Sequence, residues 1–312
     1  MRHSLIFVCL LAFASHIWPA EREAALAGSL LTRNQAEAVR LIQTGAPLDL
    51  NLNEDAVDDQ LTKRARNLSH GNNTPPGYPL AIAAALLGLP GVLEAIGERE
   101  PVRLHVTDSD NQTAINYAAH QGYSHCVAVL LRYGLNPLQP PRHAWASGTP
   151  LSRAVMKGSA PTVKLLLDAI PKAQYTSDRV TEQVWSATNT PLQGAEHMAV
   201  LQTLLDAGVS PNYIAPQGGS ALINAIESHD PAQVRLLIKH GAKAYSHRYR
   251  GRTAHEWAAH YAEPDASPAA LEIAGLVGAL KVEPSTWQKD KEIEKFERTL
   301  QMIGAPGKPP LP

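Results

Sequence analysis

Apolar and polar positions along the chain follow one phrase that keeps returning: a hydroxyl residue, an apolar turn ending in alanine, then a leucine pair closed by glycine. It reads T-A-I-N-Y-A-A-H-Q-G from Thr113 with L-L-R-Y-G ending at Gly134, and S-A-L-I-N-A-I from Ser220 with L-L-I-K-H-G ending at Gly241, 21 residues between landmarks each time. T-P-L-S-R-A-V-M-K-G from Thr149 and T-A-H-E-W-A-A from Thr253 repeat the first half. A hydroxyl can accept from the orphan N–H groups of a helix start, and proline fits the first helical position, so Thr149-Pro150 opens a helix. Ala118, Ala154, Ala225 and Ala258 fall where neighbouring helices must approach closely. The pairs Leu130-Leu131, Leu165-Leu166, Leu204-Leu205 and Leu236-Leu237 fill the layer behind. Gly122 and Gly158 separate the two helices of a hairpin, and Gly134, Gly208 and Gly241 end the second helix. No unit of this size buries such a surface alone, so the pattern predicts stacked helix hairpins joined by exposed loops.

The intervals from Thr113 to Thr149 (36 residues) and from Ser220 to Thr253 (33 residues) bracket the ~33-residue period of ankyrin repeats. The chain resembles that family over roughly Gln35 to Lys281, about four fifths of its length. The resemblance implies an all-α ankyrin-repeat solenoid of six to seven helix-hairpin repeats with a C-terminal capping helix, in a repeat domain spanning 24–281. The first unit is partial, seen in A-E-A-V-R-L-I-Q-T-G-A at Ala36 to Ala46; the second begins near Tyr78-Pro79-Leu80; the others begin at Thr113, Thr149, Ser220 and Thr253. A degenerate fifth unit shows mainly in V-L-Q-T-L-L-D-A-G-V-S-P-N at Val200 to Asn212. The family's histidine in T-P-L-H is replaced by Ala81, Asn116, Ser152, Ile223 and Glu256. Hydrogen bonds between neighbouring loops must then be made differently or lost.

Composition narrows the function classes. Lys plus Arg is 28 against 29 for Asp plus Glu, a net charge of −1, with none of the basic excess that nucleic-acid binding uses. The N-terminus carries Met1-Arg2-His3 followed by about ten apolar or small residues from Leu5 to Ala14. At ~1.5 Å per residue that run spans roughly half a bilayer core, which suits a signal peptide over residues 1–20 and leaves no membrane span after its removal. Cleavage after Ala14, Ala20 or Ala27 stays open. Cys9 leaves with the leader and Cys126 remains alone, so no intramolecular disulfide is available, and Cys126 reads as a half-buried core thiol. These features point to the bacterial periplasm, with secretion as the alternative. An insertion at 51–76, rich in Asn, Asp, Thr and Pro, separates the first two units. Apolar spacing at Ile293, Phe296, Leu300 and Ile303 predicts a C-terminal helix over 285–303, and the proline- and glycine-rich 304–312 tail reads as disordered.

Catalytic motifs fail. His255-Glu256-Trp257-Ala258-Ala259-His260 has one residue too many for H-E-x-x-H, so its histidines point about 140° apart around a helix and no single metal takes both. No nucleophile elbow, P-loop or dinucleotide fingerprint occurs. The expectation is a non-enzymatic protein without metal or cofactor, monomeric when alone.

The ankyrin resemblance implies a binding face made of the loop tips and the late positions of the inner helices. By position these include Asp110, Gln112, Trp145, Tyr249, Arg250 and Arg252 at tips, and His120, Gln121, Met156, Lys157, His260 and Tyr261 on helices. The cluster Tyr245-Ser246-His247-Arg248-Tyr249-Arg250-Gly251-Arg252 combines aromatic residues with arginine, the composition of binding hot spots, and favours an acidic partner surface. Exported ankyrin proteins similar to this one imply a protein-binding module, such as an immunity protein that blocks an envelope-targeted toxin of the secreted phospholipase class. An accessory protein that stabilises or protects an enzyme such as a catalase, or a secreted host-directed effector, remains open.

Overall fold

The computed structural model describes residues 19–52, 78–108, 111–140, 148–189, 195–216, 218–244, 247–263 and 266–280. The leader before Pro19, the body of the insertion, Asp110, Trp145, the helix expected over 285–303 and the 304–312 tail lie outside the described residues. So do parts of several loops.

Among the described residues, helix hairpins follow one another. They are α1 (Pro19–Leu31) with α2 (Gln35–Gln43), α3 (Leu80–Leu87) with α4 (Pro90–Arg99), and α5 (Ala114–Gln121) with α6 (Ser124–Arg132), followed by the helices α7 (Pro150–Lys157) and α8 (Ala160–Asp168). Then come α9 (Asp178–Asn189) with α10 (Ala195–Asp206), α11 (Ala221–Glu227) with α12 (Pro231–Lys239), and α13 (Ala254–Tyr261) with α14 (Pro268–Gly278). The chain divides into two compact units, one up to Lys157 and one from Gly158. In the first, α1, α3, α5 and α7 pack successively as an inner layer and α2, α4 and α6 as an outer one. In the second, the inner layer is α9, α11 and α13 and the outer layer is α8, α10, α12 and α14.

Local chemistry explains the helix ends. Asn34, Ser220, Asp230 and Ser267 each accept from a backbone N–H in the first turn of the helix that follows. Thr253 and Glu256 close a full capping box, with Glu256 reaching back to the Thr253 N–H at 2.7 Å. Asn116 does the same for Thr113 at 3.1 Å. Two of the residues that replace the family histidine are therefore helix caps. The loop-to-loop bonds are made by other residues: Asn111 donates to the Pro140 carbonyl at 3.0 Å, and Asn212 both donates to the Gly241 carbonyl and accepts from the Lys243 N–H, each at 2.9 Å.

The alanines expected at helix contacts, Ala118, Ala154, Ala225 and Ala258, are fully buried. So are Leu130, Leu204 and Leu237, whereas on α8 the buried pair is Leu166-Leu167 and Leu165 is half-exposed, one position later than the pattern predicts. The first unit, read as partial, is a complete hairpin. Its inner helix begins at Pro19, inside the stretch assigned to the leader, and buries Leu26 and Leu30. The sequence E-A-A-L-A-G-S-L-L lacks the hydroxyl start seen at Thr113, Thr149, Ser220 and Thr253, so the pattern shows only its second helix. Two short strands, β1 (Asn51–Leu52) and β2 (Tyr78–Pro79), pair antiparallel and bring the ends of the insertion together.

The inner layer of the first unit is closely filled. Every residue of α3 is buried, and Tyr117 on α5 and Arg153 on α7, which occupy the same place in the repeated phrase, are fully buried as well. The Arg153 guanidinium lies 6.0 Å from the Tyr117 ring centre, and Tyr78 meets that ring edge-on at 6.0 Å. The Tyr117 hydroxyl donates to Asp108, whose other carboxylate oxygen accepts from the Gln112 N–H at 2.9 Å. One carboxylate thus ties a loop to the core. Tyr117→Phe removes the donor and is expected to lower unfolding free energy by about 1–2 kcal/mol, read by urea denaturation. An unchanged midpoint would show that this bond contributes nothing.

Candidate protein-binding surface

The loop of the seventh repeat is a two-residue hairpin. Tyr249 and Arg252 exchange both backbone hydrogen bonds, at 2.8 and 3.1 Å, across a turn in which Arg250 (φ 49°) and Gly251 (φ 80°) are both left-handed. That is the primed-turn geometry whose twist matches an antiparallel pair, and glycine at its second position carries no steric cost. Arg250 adopts a conformation uncommon for a residue with a side chain, held by its surroundings. Arg248 donates to the Gly251 carbonyl at 2.6 Å and to Glu256 at 3.2 Å, and the Trp257 indole donates to the Tyr249 carbonyl at 3.1 Å. Beneath the loop, Gly218 of the preceding finger (φ 88°) comes so close that a Cβ there would sit 3.0 Å from the Arg248 carbonyl oxygen.

This scaffold assembles a run of rings. Tyr249 and Trp257 have centroids 6.4 Å apart, Trp257 stacks on Tyr261 at 5.7 Å and 22°, His260 meets Trp257 edge-on at 5.9 Å, and His229 meets Tyr261 edge-on at 4.7 Å. Two guanidinium groups lie over it: Arg250 over Tyr249 and Arg252 over Trp257, each 5.0 Å from the ring centre. Both arginines are exposed. Burial raises the Tyr261 pKa and Glu227 adds to this, while Arg250 and Arg252 pull it down, so all three charges act at that hydroxyl. Five of the sequence candidates, Tyr249, Arg250, Arg252, His260 and Tyr261, therefore come together. Trp257 and His229 join them unannounced. Trp257 stands three residues before His260 and four before Tyr261, a helical spacing that places all three on neighbouring positions of one face.

Candidates in the first unit fare differently. Gln112 is buried at 1% exposure, and its carboxamide makes no hydrogen bond among the described residues, so it is closed to a partner rather than at an exposed tip. His120 and Gln121 are half-buried at the end of α5. Burial, with Arg153 and Lys157 nearby, holds His120 down to about 4. Met156 and Lys157 are exposed at the end of α7. Asp110 and Trp145 lie outside the described residues.

Elsewhere the reactive groups are structural. Cys126 is fully buried rather than half-buried, and desolvation pushes its thiol up to about 12. The two histidines of the near-miss zinc motif face apart: His255 is buried and held down to about 3 by desolvation, whereas His260 is half-exposed beside Glu263 at 3.2 Å. Among the described residues no three of His, Cys, Asp and Glu converge as a metal requires. An open cleft of about 230 Å³ lies among Leu48, Leu50, Pro79, Leu80, Ile96 and Arg103.

Comparison with known proteins agrees with this geometry. Residues 80–178 match the family model for ankyrin repeats (3 copies). A curated ankyrin repeat-containing protein of Treponema pallidum (strain Nichols) is 31% identical over 121 residues, 38% of this chain and 39% of that protein, so the match spans well under half the relative's length. The crystal structure of the ankyrin repeat domain of Bcl-3, described as a unique member of the IkappaB protein family, superposes with TM-score 0.53 at 21% identity, covering 81% of this chain and 97% of that one. The ankyrin repeat protein EF0377 superposes with TM-score 0.50 at 18% identity, covering 65% and 98%. The fold is the ankyrin-repeat fold, and the family model and the treponemal relative support the ankyrin assignment from sequence as well. No helix among the described residues is long and apolar enough to cross a membrane.

Stability should depend on pH in one direction. His120 and His255 have folded pKa values below the ordinary 6.5, so between about pH 6.5 and these values the unfolded chain binds the extra protons. Stability is full above pH 6.5 and falls as pH drops below it, with each such histidine adding at most about 1.4 kcal/mol per pH unit. The melting temperature is expected to decline from pH 7 to pH 5, less steeply in His120→Gln or His255→Leu. A decline of equal steepness in both variants would remove these histidines as its cause.

Proposed function

We propose that this chain is a non-enzymatic protein-binding module whose partner docks on the seventh repeat. Ankyrin repeats are in general protein-interaction modules. The observation that carries the location is the pair of exposed arginines laid over Tyr249 and Trp257. Large rings already packed, with cations held over them, give up little side-chain freedom when a partner arrives.

The module acts in the bacterial periplasm, delivered there by the N-terminal leader. There it works as an immunity protein, covering the catalytic cleft of an envelope-targeted toxin such as a secreted phospholipase effector. Burial of Leu26 in α1 favours cleavage no later than Ala20, since a cut after Ala27 would remove that core residue. N-terminal sequencing of the mature protein checks this, and a start at Gly28 would contradict it.

The binding site is tested by capture from periplasmic extract and from cells expressing neighbouring genes. The full chain is tagged at its C-terminus and compared with Arg250→Asn/Arg252→Gln, in which asparagine tolerates the left-handed turn position. Loss of a stoichiometric partner in this variant, with retention in Met156→Ala/Lys157→Ala, is expected. Capture that is indifferent to the arginines overturns the docking face. If the captured protein is a phospholipase whose activity persists under excess binder, the immunity role is wrong.

A further inference from the structure

The three arginines of the seventh finger are not equivalent. Arg248 is spent on the loop, bonded to the Gly251 carbonyl and Glu256. The Arg250 and Arg252 side chains make no hydrogen bond or ion pair among the described residues; each guanidinium lies over a ring, and both residues are exposed. Of the nearby acids, Glu256 is engaged by Arg248 and the Thr253 N–H, Glu263 lies against His260, and Glu227 acts on the Tyr261 hydroxyl alongside both arginines without pairing to either among the described residues. A guanidinium edge is built to take a carboxylate through two parallel hydrogen bonds.

We propose that this surface receives an acidic segment of the partner protein, with its carboxylates taken by the exposed Arg250 and Arg252 side chains held over the ring cluster. The inference rests on the protein-binding reading above and adds to it the chemistry of the bound segment. A nucleic acid is the poorer fit, because the chain carries 28 basic against 29 acidic residues and two free cations supply little affinity for a polyanion.

The test uses the full chain and fluorescence anisotropy with a labelled short peptide of Asp and Ser, against a Lys-Ser control of the same length. The acidic peptide is expected to bind best, to lose about tenfold in affinity in Arg250→Asn/Arg252→Gln, equivalent to 1.4 kcal/mol, and to regain only part of it in Arg250→Lys/Arg252→Lys, which keeps charge without the bidentate edge. Equal binding of the Lys-Ser peptide overturns the acidic ligand. Displacement by inorganic phosphate in the millimolar range as readily as by unlabelled peptide overturns a peptide ligand in favour of a general anion site. If no acidic peptide binds while a protein partner is still captured and lost with the arginines, this inference fails and the binding module stands; if capture ignores the arginines, both fail.

Discussion

An eight-residue helix such as α5 or α7 does not hold together alone in water, where about 12–15 residues are needed for even marginal helicity. Everything regular in this protein follows from that constraint. The inner helices α5, α7, α11 and α13 are fixed at their starts by a hydroxyl or a capping box and held against their neighbours, with alanine at the points of closest approach. Outer helices add cross-repeat ion pairs, Arg132 to Glu94 and Arg235 to Glu272, but these are exposed and each is worth less than about 1 kcal/mol. Stability comes from stacked apolar surface, and the chemistry of the fingers is correspondingly free to vary.

The parts of the fold that obey this constraint were legible in the chain. Thr113, Thr149, Ser220 and Thr253 marked inner-helix starts, and Ala118, Ala154, Ala225 and Ala258 marked contacts, because a helix start and a close approach each admit few residue types. What escaped the pattern depends on neighbours that are distant in sequence. Arg153 and Tyr117 are chemically unlike at the same place of the repeated phrase, yet both are fully buried, with the guanidinium over the ring. Gln112 reads as a loop tip, yet the bond from its backbone N–H to Asp108 turns it inward. The inner helix of the first repeat was hidden because nothing at its start resembles the other repeats.

At the candidate site, the aromatic and arginine content was visible in Tyr249, Arg250 and Arg252, but the division of labour was not. Three arginines within five residues look alike in sequence, and only the turn geometry separates Arg248, which closes the loop, from the two that face outward. Trp257 packs on its inner helix at 7% exposure, and it is also the plate on which Arg252 rests. One side chain thus links the stability of the last repeat to the presentation of its binding groups.

The most direct test of the docking face is hydrogen–deuterium exchange of the full chain with and without its captured partner. Slowed exchange confined to the seventh finger and α13, over residues 247–261, is the predicted footprint. Slowed exchange centred on the ends of α5 and α7, with residues 247–261 unchanged, would place the partner elsewhere and contradict the account.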